Sequence, residues 1–183
     1  MLHRDVVLFR RPRQRRRLRV FGGRIGDGLT RADAVEQVAR CLGRLADHAG
    51  CRQVVVCVET HDDWCDPADV AAVKKRVGHP AIAVNWDIMH SVIHGLRTMD
   101  AAFETLRPWI RHVHVHDGVI DDAGKMGFVP IGDGRVNHRR ALELLGAGGY
   151  DGFIRGEWIG WEPHEVHLPR ELQRLRQIEK QIA

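Results

Sequence analysis

Apolar residues run along this chain in two alternating rhythms. Short apolar runs at Leu18–Phe21, Gln53–Glu59, Ala81–Asp87, Ile110–His114 and Phe153–Glu157 have the length, and mostly the β-branched content, of strands. Between them apolar positions recur every three or four residues. Thr30 followed by Asp33 has the form of a helix N-cap, and Ala34, Val38, Cys41, Leu42 and Leu45 then mark one helical face up to Gly50. Asp66-Pro67 opens a second helix that reaches Val77-Gly78, because proline is preorganised for the first helical position. Further helical stretches are predicted from about His90 to Leu106, near Asn137–Leu145, and at Arg170–Ile182. Gly118 to Gly134 reads as a glycine-rich loop.

Strands alternating with helices predict an α/β fold, a parallel sheet covered by helices. In such sheets ligands sit at the carboxyl ends of the strands. Four consecutive strands here end in Glu59, Asp87, His114 and Glu157, each followed by polar or loop-like sequence. Alternation places Cys57, Asn85, His112 and Arg155 on the same faces, two residues earlier. Parallel neighbours would bring three carboxylates and one imidazole to a single rim. Burying three like charges is too costly without a cation, and one divalent metal ion resolves the conflict. Three oxygen donors and one nitrogen favour Mn²⁺ or Mg²⁺, with Co²⁺ or Zn²⁺ also compatible. The competing reading is four unrelated helix-capping or surface groups.

The length of 183 residues suits one domain and falls below the roughly 250 typical of a closed (β/α)8 barrel. An apolar content of 44% supports a real core and excludes a disordered chain. No apolar run is long enough to span a membrane, and the first residues have the wrong order for a secretory signal. Cys41, Cys51, Cys57 and Cys65 form no CxxC pair and read as reduced thiols of a cytoplasmic protein, with a disulfide or zinc-cysteine framework as the alternative. Charge is spread unevenly. Residues 1–19 hold eight arginines against one acid, a local +7, so the overall +4 leaves −3 on the rest. Residues 1–17 are therefore expected to be a basic, disordered tail, and residues 18–183 the folded domain. An arm for nucleic acid or an anionic surface is the alternative, as is a chain start lying upstream or out of register.

The segments LRVFGG, VCVETHDD, NWDIMH, HVHVHD, VPIGDGRVNHRRALELLGAGGYDG and GEW resemble the later part of the xylose isomerase-like (β/α)8 family. That family includes sugar phosphate isomerases and epimerases, and endonuclease IV shares its fold. The resemblance runs from about Leu18 to Trp161. It implies a partial TIM barrel holding strands 4–8 with flanking helices, and one metal ion on Glu59, Asp87, His114 and Glu157. It also implies that His90, three residues after the aspartate, contacts substrate. The first three strands of the family have no counterpart here, and the arginine tail stands in their place. Either a second copy or another chain covers the open barrel edges, or the product is unstable, or the gene start is wrong.

A metal beside a 2-hydroxycarbonyl polarises its oxygens and acidifies the neighbouring C–H. Glu59 and Glu157 would then be the catalytic pair, exchanging the proton through an enediolate, with Asp87 and His114 as anchors. The expected activity is isomerisation or epimerisation of a small sugar, sugar phosphate or polyol. A polyol dehydratase on the same metal is the alternative, and so is a non-catalytic remnant. The acidic body argues against an endonuclease IV-like repair role and against nucleic acid as partner. Ketose 3-epimerases of the family tend to carry a glutamate and then an arginine shortly after the metal histidine. Asp117 fills the first position, but the second falls near Ile120.

His116, Asp117 and Arg135 are further substrate-binding candidates, with strand termination or surface exposure as their alternatives. His112 reads as a hydrogen-bonded interior group. His61, Asp62 and Asp63 read as a solvated loop, with the lining of the site's mouth as the alternative. Trp64, Trp86, Trp158 and Trp161 could stack on a sugar or pack the core. Arg155, on an inward face, needs an acid such as Glu59 as partner, or else water.

Overall fold

A computed structural model describes residues 16–182. Its strands are β1 (Arg16–Val20), β2 (Val54–Glu59), β3 (Ile82–Asp87), β4 (Ile110–Val115), β5 (Asp117–Ile120), β6 (Met126–Val129) and β7 (Ile154–Gly156). Five of them form one parallel sheet in the order β1-β2-β3-β4-β7, while β5 and β6 pair as an antiparallel hairpin. The helices are α1 (Arg31–Cys51), α2 (Pro67–Val77), α3 (His90–Ile93), α4 (Met99–Leu106), α5 (His138–Ala147) and α6 (His164–Ile182). The result is an α/β half-barrel, a partial TIM barrel with flanking helices.

The two faces of the sheet differ in chemistry. Val56, Val58, Ile82, Val84, Trp86, Val113 and Val115 are buried on the helix-covered side with Leu42, Val70, Phe103, Leu106 and Leu145. Each such side chain contributes about 1.5–3 kcal/mol by leaving water. The opposite face carries a small apolar cluster of Val55, Cys57 and Ala83. Toward the strand ends this face turns polar, with Glu59, Asn85, Asp87, His112 and His114 all buried. A register shift between β3 and β4 at Val84/Asn85 sets the parity of β4. The bulge lets Ile110 face the helices while His112 and His114 face the barrel interior.

Local signals explain most boundaries. Thr30 and Asp33 close a full capping box on α1, and the Asp66 side chain caps α2 ahead of Pro67. Gly78 ends α2 in the left-handed conformation that glycine adopts without strain. Several expectations are corrected. The stretch from His90 to Leu106 is two helices, because Gly95 turns the chain at φ 67 and Thr98 caps a new start. Gly118 to Gly134 is not all loop, since β5 and β6 lie within it. α6 begins at His164, with Pro169 inside it, rather than at Arg170. On α1 the buried face is Ala34, Ala39, Leu42, Ala46 and Ala49, and Cys41 and Leu45 are exposed.

At the start of the chain, β1 takes in Arg16 and Arg17, two residues of the expected tail. The rest of that tail, residues 1–15, lies outside the described residues. β1 and β7 form the margins of the sheet, where Leu18 is 54% and Phe153 47% exposed.

Candidate active site

Glu59 and Asp87 end β2 and β3, His114 is next to last in β4, and Glu157 directly follows β7. Ligand atoms of Glu59, Asp87, His114 and Glu157 all lie within 4.8 Å of one another. Glu59, Asp87 and His114 are fully or nearly buried, and the Glu157 side chain is 17% exposed. His114 Nδ1 stands 2.5 Å from Glu59 Oε1 and 3.0 Å from Glu157 Oε2. Neither contact closes a directed hydrogen bond, so this buried nitrogen faces two carboxylates without a settled partner. Burial pulls the His114 pKa down, but the adjoining Glu157 and Glu59 carboxylates more than reverse this, to about 9. Glu157 is held below its ordinary pKa, chiefly by His114. Asn85 Nδ2 donates to Glu59 Oε1 at 2.9 Å.

Arg19 is the residue that sequence reasoning missed. Its guanidinium donates to Glu59 Oε2 at 2.8 Å and to Glu157 Oε1 at 2.9 Å, bridging the two glutamates. The guanidinium also lies 4.2 Å from the Phe21 ring centroid. Of the two outcomes expected for Arg155, pairing with an acid such as Glu59 or exposure to water, the second holds: Arg155 is exposed. The signal was available. In the run RRLRV, alternation puts Arg17 and Arg19 on one face, but the count of arginines assigned Arg16 and Arg17 to a tail and left Arg19, in the predicted strand, without a role.

A second layer surrounds Asp87. Its Oδ1 accepts from the backbone of Met89 at 2.9 Å and of His90 at 3.3 Å. His116 Nε2 approaches Asp87 Oδ2 at 2.9 Å, while His116 Nδ1 meets the Glu157 carbonyl at 2.7 Å. Burial would raise the Asp87 pKa, but His116 and His90 hold it well below the usual carboxylate range. Burial alone would lower His116, and Asp87 raises it above its ordinary value. His90 Nε2 lies 3.8 Å from Asp87 Oδ2, and burial lowers its pKa. His138, which carried no sequence signal, meets the His116 carbonyl at 3.1 Å. His61 packs between Phe21, tilted at 4.8 Å, and His90, edge-on at 4.3 Å, and so lines the mouth of the site.

The other candidates fall elsewhere. Asp117 is buried, but its carboxylate accepts from four backbone amides, those of Gly118, Gly132, Gly134 and Val136. It therefore pins the GDGRV segment in place of offering oxygens to a ligand. A Cβ on Gly134 would run into this carboxylate, which explains that glycine. Arg135 is exposed and outside the cluster. Trp64 and Trp86 are core residues, while Trp158 and Trp161 pack on each other and on His167. His112 is buried, and burial followed by the charges of His114 and three nearby arginines lowers its pKa to about 4. All four cysteines are free. No helix among the described residues is long and apolar enough to cross a membrane.

Three carboxylates set against Arg19 leave two negative charges when the imidazoles are neutral, the charge of one divalent ion. The donor set and the unsettled His114 nitrogen fit such an ion. A family model described as xylose isomerase-like TIM barrel matches residues 4–178. The chain belongs to this family. Proteins of the family generally bind a divalent metal. Among characterised relatives, the C-glycoside deglycosidase alpha subunit of Microbacterium trichothecenolyticum is 30% identical over 119 residues. That match covers 60% of this chain and 30% of the relative. The 3-dehydroshikimate dehydratase of Bacillus anthracis is 25% identical over 170 residues, covering 82% of this chain and 58% of the enzyme. A D-tagatose 3-epimerase-like protein of known structure superposes with a TM-score of 0.75 at 20% identity, covering 91% of this chain and 63% of its own. The chain thus spans less than two thirds of the length of these relatives.

Proposed function

We propose that this site moves a proton on the carbon beside the carbonyl of a sugar or sugar-like polyol, with a divalent ion held by Glu59, Asp87, His114 and Glu157. The observation that carries the reading is the convergence of these four ligand groups within 4.8 Å. When bound, Mn²⁺ or Mg²⁺ would polarise the substrate's hydroxyl and carbonyl oxygens and acidify the adjoining C–H. Asp87 and His114 are the anchors. Glu59 and Glu157 stand on either side of His114, and each can take a proton at one carboxylate oxygen. Arg19 holds both glutamates in place, and with His114 it favours the ionised form of Glu157 that a base requires. Return of the proton to the neighbouring carbon gives isomerisation, and return to the opposite face of the same carbon gives epimerisation. His90, His116 and His61 would meet the substrate's other polar groups.

A dehydratase is the second reading, favoured by the match to a 3-dehydroshikimate dehydratase over 82% of the chain. Both reactions begin with the same proton removal. Incubation of the Mn²⁺-loaded protein with ketoses and cyclic keto acids in D₂O tests both. Deuterium entering carbon next to the carbonyl, lost in Glu157→Gln, is the expected result, and release of water with it marks the dehydratase. Absence of both exchange and dehydration across the panel would overturn the proposal.

A further inference from the structure

Beneath the four candidate ligands the inner face of the sheet borders a cavity of ≈ 860 Å³ with a one-sided charge. Arg16, Arg17, Arg19 and Arg155 line it against a single acid, Glu157. Arg19 is engaged with Glu59 and Glu157. Among the described residues, no acid pairs with Arg16, Arg17 or Arg155. Register places Arg17 beside Val55 and Arg19 beside Cys57, so both arginines share the inner face. Arg155 lies in register with His114 across the same face. His112, only 9% exposed, also lines the cavity, and its Nδ1 is buried without a hydrogen-bond partner.

Three guanidinium groups with no acidic partner among the described residues suit an oxyanion and make a poor lining for a neutral sugar. The size is that of a small-molecule pocket. We propose that this cavity binds the phosphate or carboxylate group of a small acid-bearing polyol, with Arg17 and Arg155 as its principal ligands. His112 Nδ1 supplies a further N–H in the tautomer that carries its proton there. That the ligand is also a substrate rests on the proton-transfer reading above, whereas the anion site stands on the arginines alone.

Isothermal titration of the chain with fructose 6-phosphate, glucuronate and fructose tests this, with and without Mn²⁺. The charged probes should bind at least about tenfold tighter than fructose, and the tighter of the two names the oxyanion. Arg17→Gln and Arg155→Gln should each weaken that probe by about tenfold, the loss of one charge-assisted contact. Arg155→Lys should recover part of the loss, and urea transitions matching the unsubstituted chain would show the variants folded. Equal affinity for fructose and fructose 6-phosphate would overturn the proposal. Anion binding that survives both substitutions together, or preference for a single-stranded oligonucleotide, would overturn it as well. Anion binding in a chain that takes up no Mn²⁺ would retire the proton-transfer reading while leaving this one standing.

Discussion

Asp117→Asn separates a substrate contact from a structural pin. Asp117 Oδ1 accepts from Gly118 N at 2.9 Å and Val136 N at 3.1 Å, and Oδ2 from Gly132 N at 2.8 Å and Gly134 N at 3.1 Å. Asparagine keeps one oxygen, so two of the four amides would face an NH₂ group. Each hydrogen bond to a charged acceptor is worth about 1.5–3 kcal/mol. Gly132 is exposed and Gly134 half-buried, so water can satisfy part of the loss, and the lower end of the range applies. The expected destabilisation is about 3 kcal/mol, a large share of the roughly 5–15 kcal/mol that holds a domain folded. With a urea m-value of about 2 kcal/mol/M, the midpoint followed by tryptophan fluorescence should fall by about 1.5 M. A midpoint within about 0.3 M of the unsubstituted chain, together with impaired ligand binding, would refute the pin and restore the substrate-contact role.

Further outcomes follow from the same geometry. Arg19→Gln removes one positive charge from beside three carboxylates, so Mn²⁺ affinity read by electron paramagnetic resonance should rise, by about tenfold. A fall would mean that the guanidinium is needed to gather the ligands. Burial pushes the Cys57 and Cys65 thiols up to about 12, whereas Cys41 and Cys51 are exposed. Two thiols should therefore react quickly with an aromatic disulfide at pH 8 and four in denaturant. Because both buried values lie above 9, raising the pH from 8 to 9 should leave the slow pair slow, and a third fast thiol would contradict this. His138→Phe removes the ring contact with the His116 carbonyl, and should lower Mn²⁺ affinity by a few-fold through the His116–Asp87 pair, while an unchanged affinity would remove His138 from the site.

Much of this arrangement could be read from the chain because strand geometry is periodic. A residue that ends an inward face is placed by parity, and Glu59, Asp87, His114 and Glu157 are all placed that way. The β4 bulge did not spoil the reading, since it falls at Arg111, before the two histidines. What escaped was set by contacts distant in sequence. Asp117 looked like a rim acid because its four amide partners lie up to 19 residues away. Arg19 lay in the predicted strand Leu18–Phe21 but drew no role, because its partners are 40 and 138 residues on. The β5–β6 hairpin was hidden by glycines at Gly118 and Gly127, which read locally as loop although Gly118 pairs with Phe128.

The most direct measurement is anomalous diffraction at the manganese edge from crystals grown with Mn²⁺. The account predicts one strong peak bonded jointly by Glu59, Asp87, His114 and Glu157, at the roughly 2.0–2.3 Å of such bonds. A peak held by other residues, or no peak between these four at saturating metal, would contradict it.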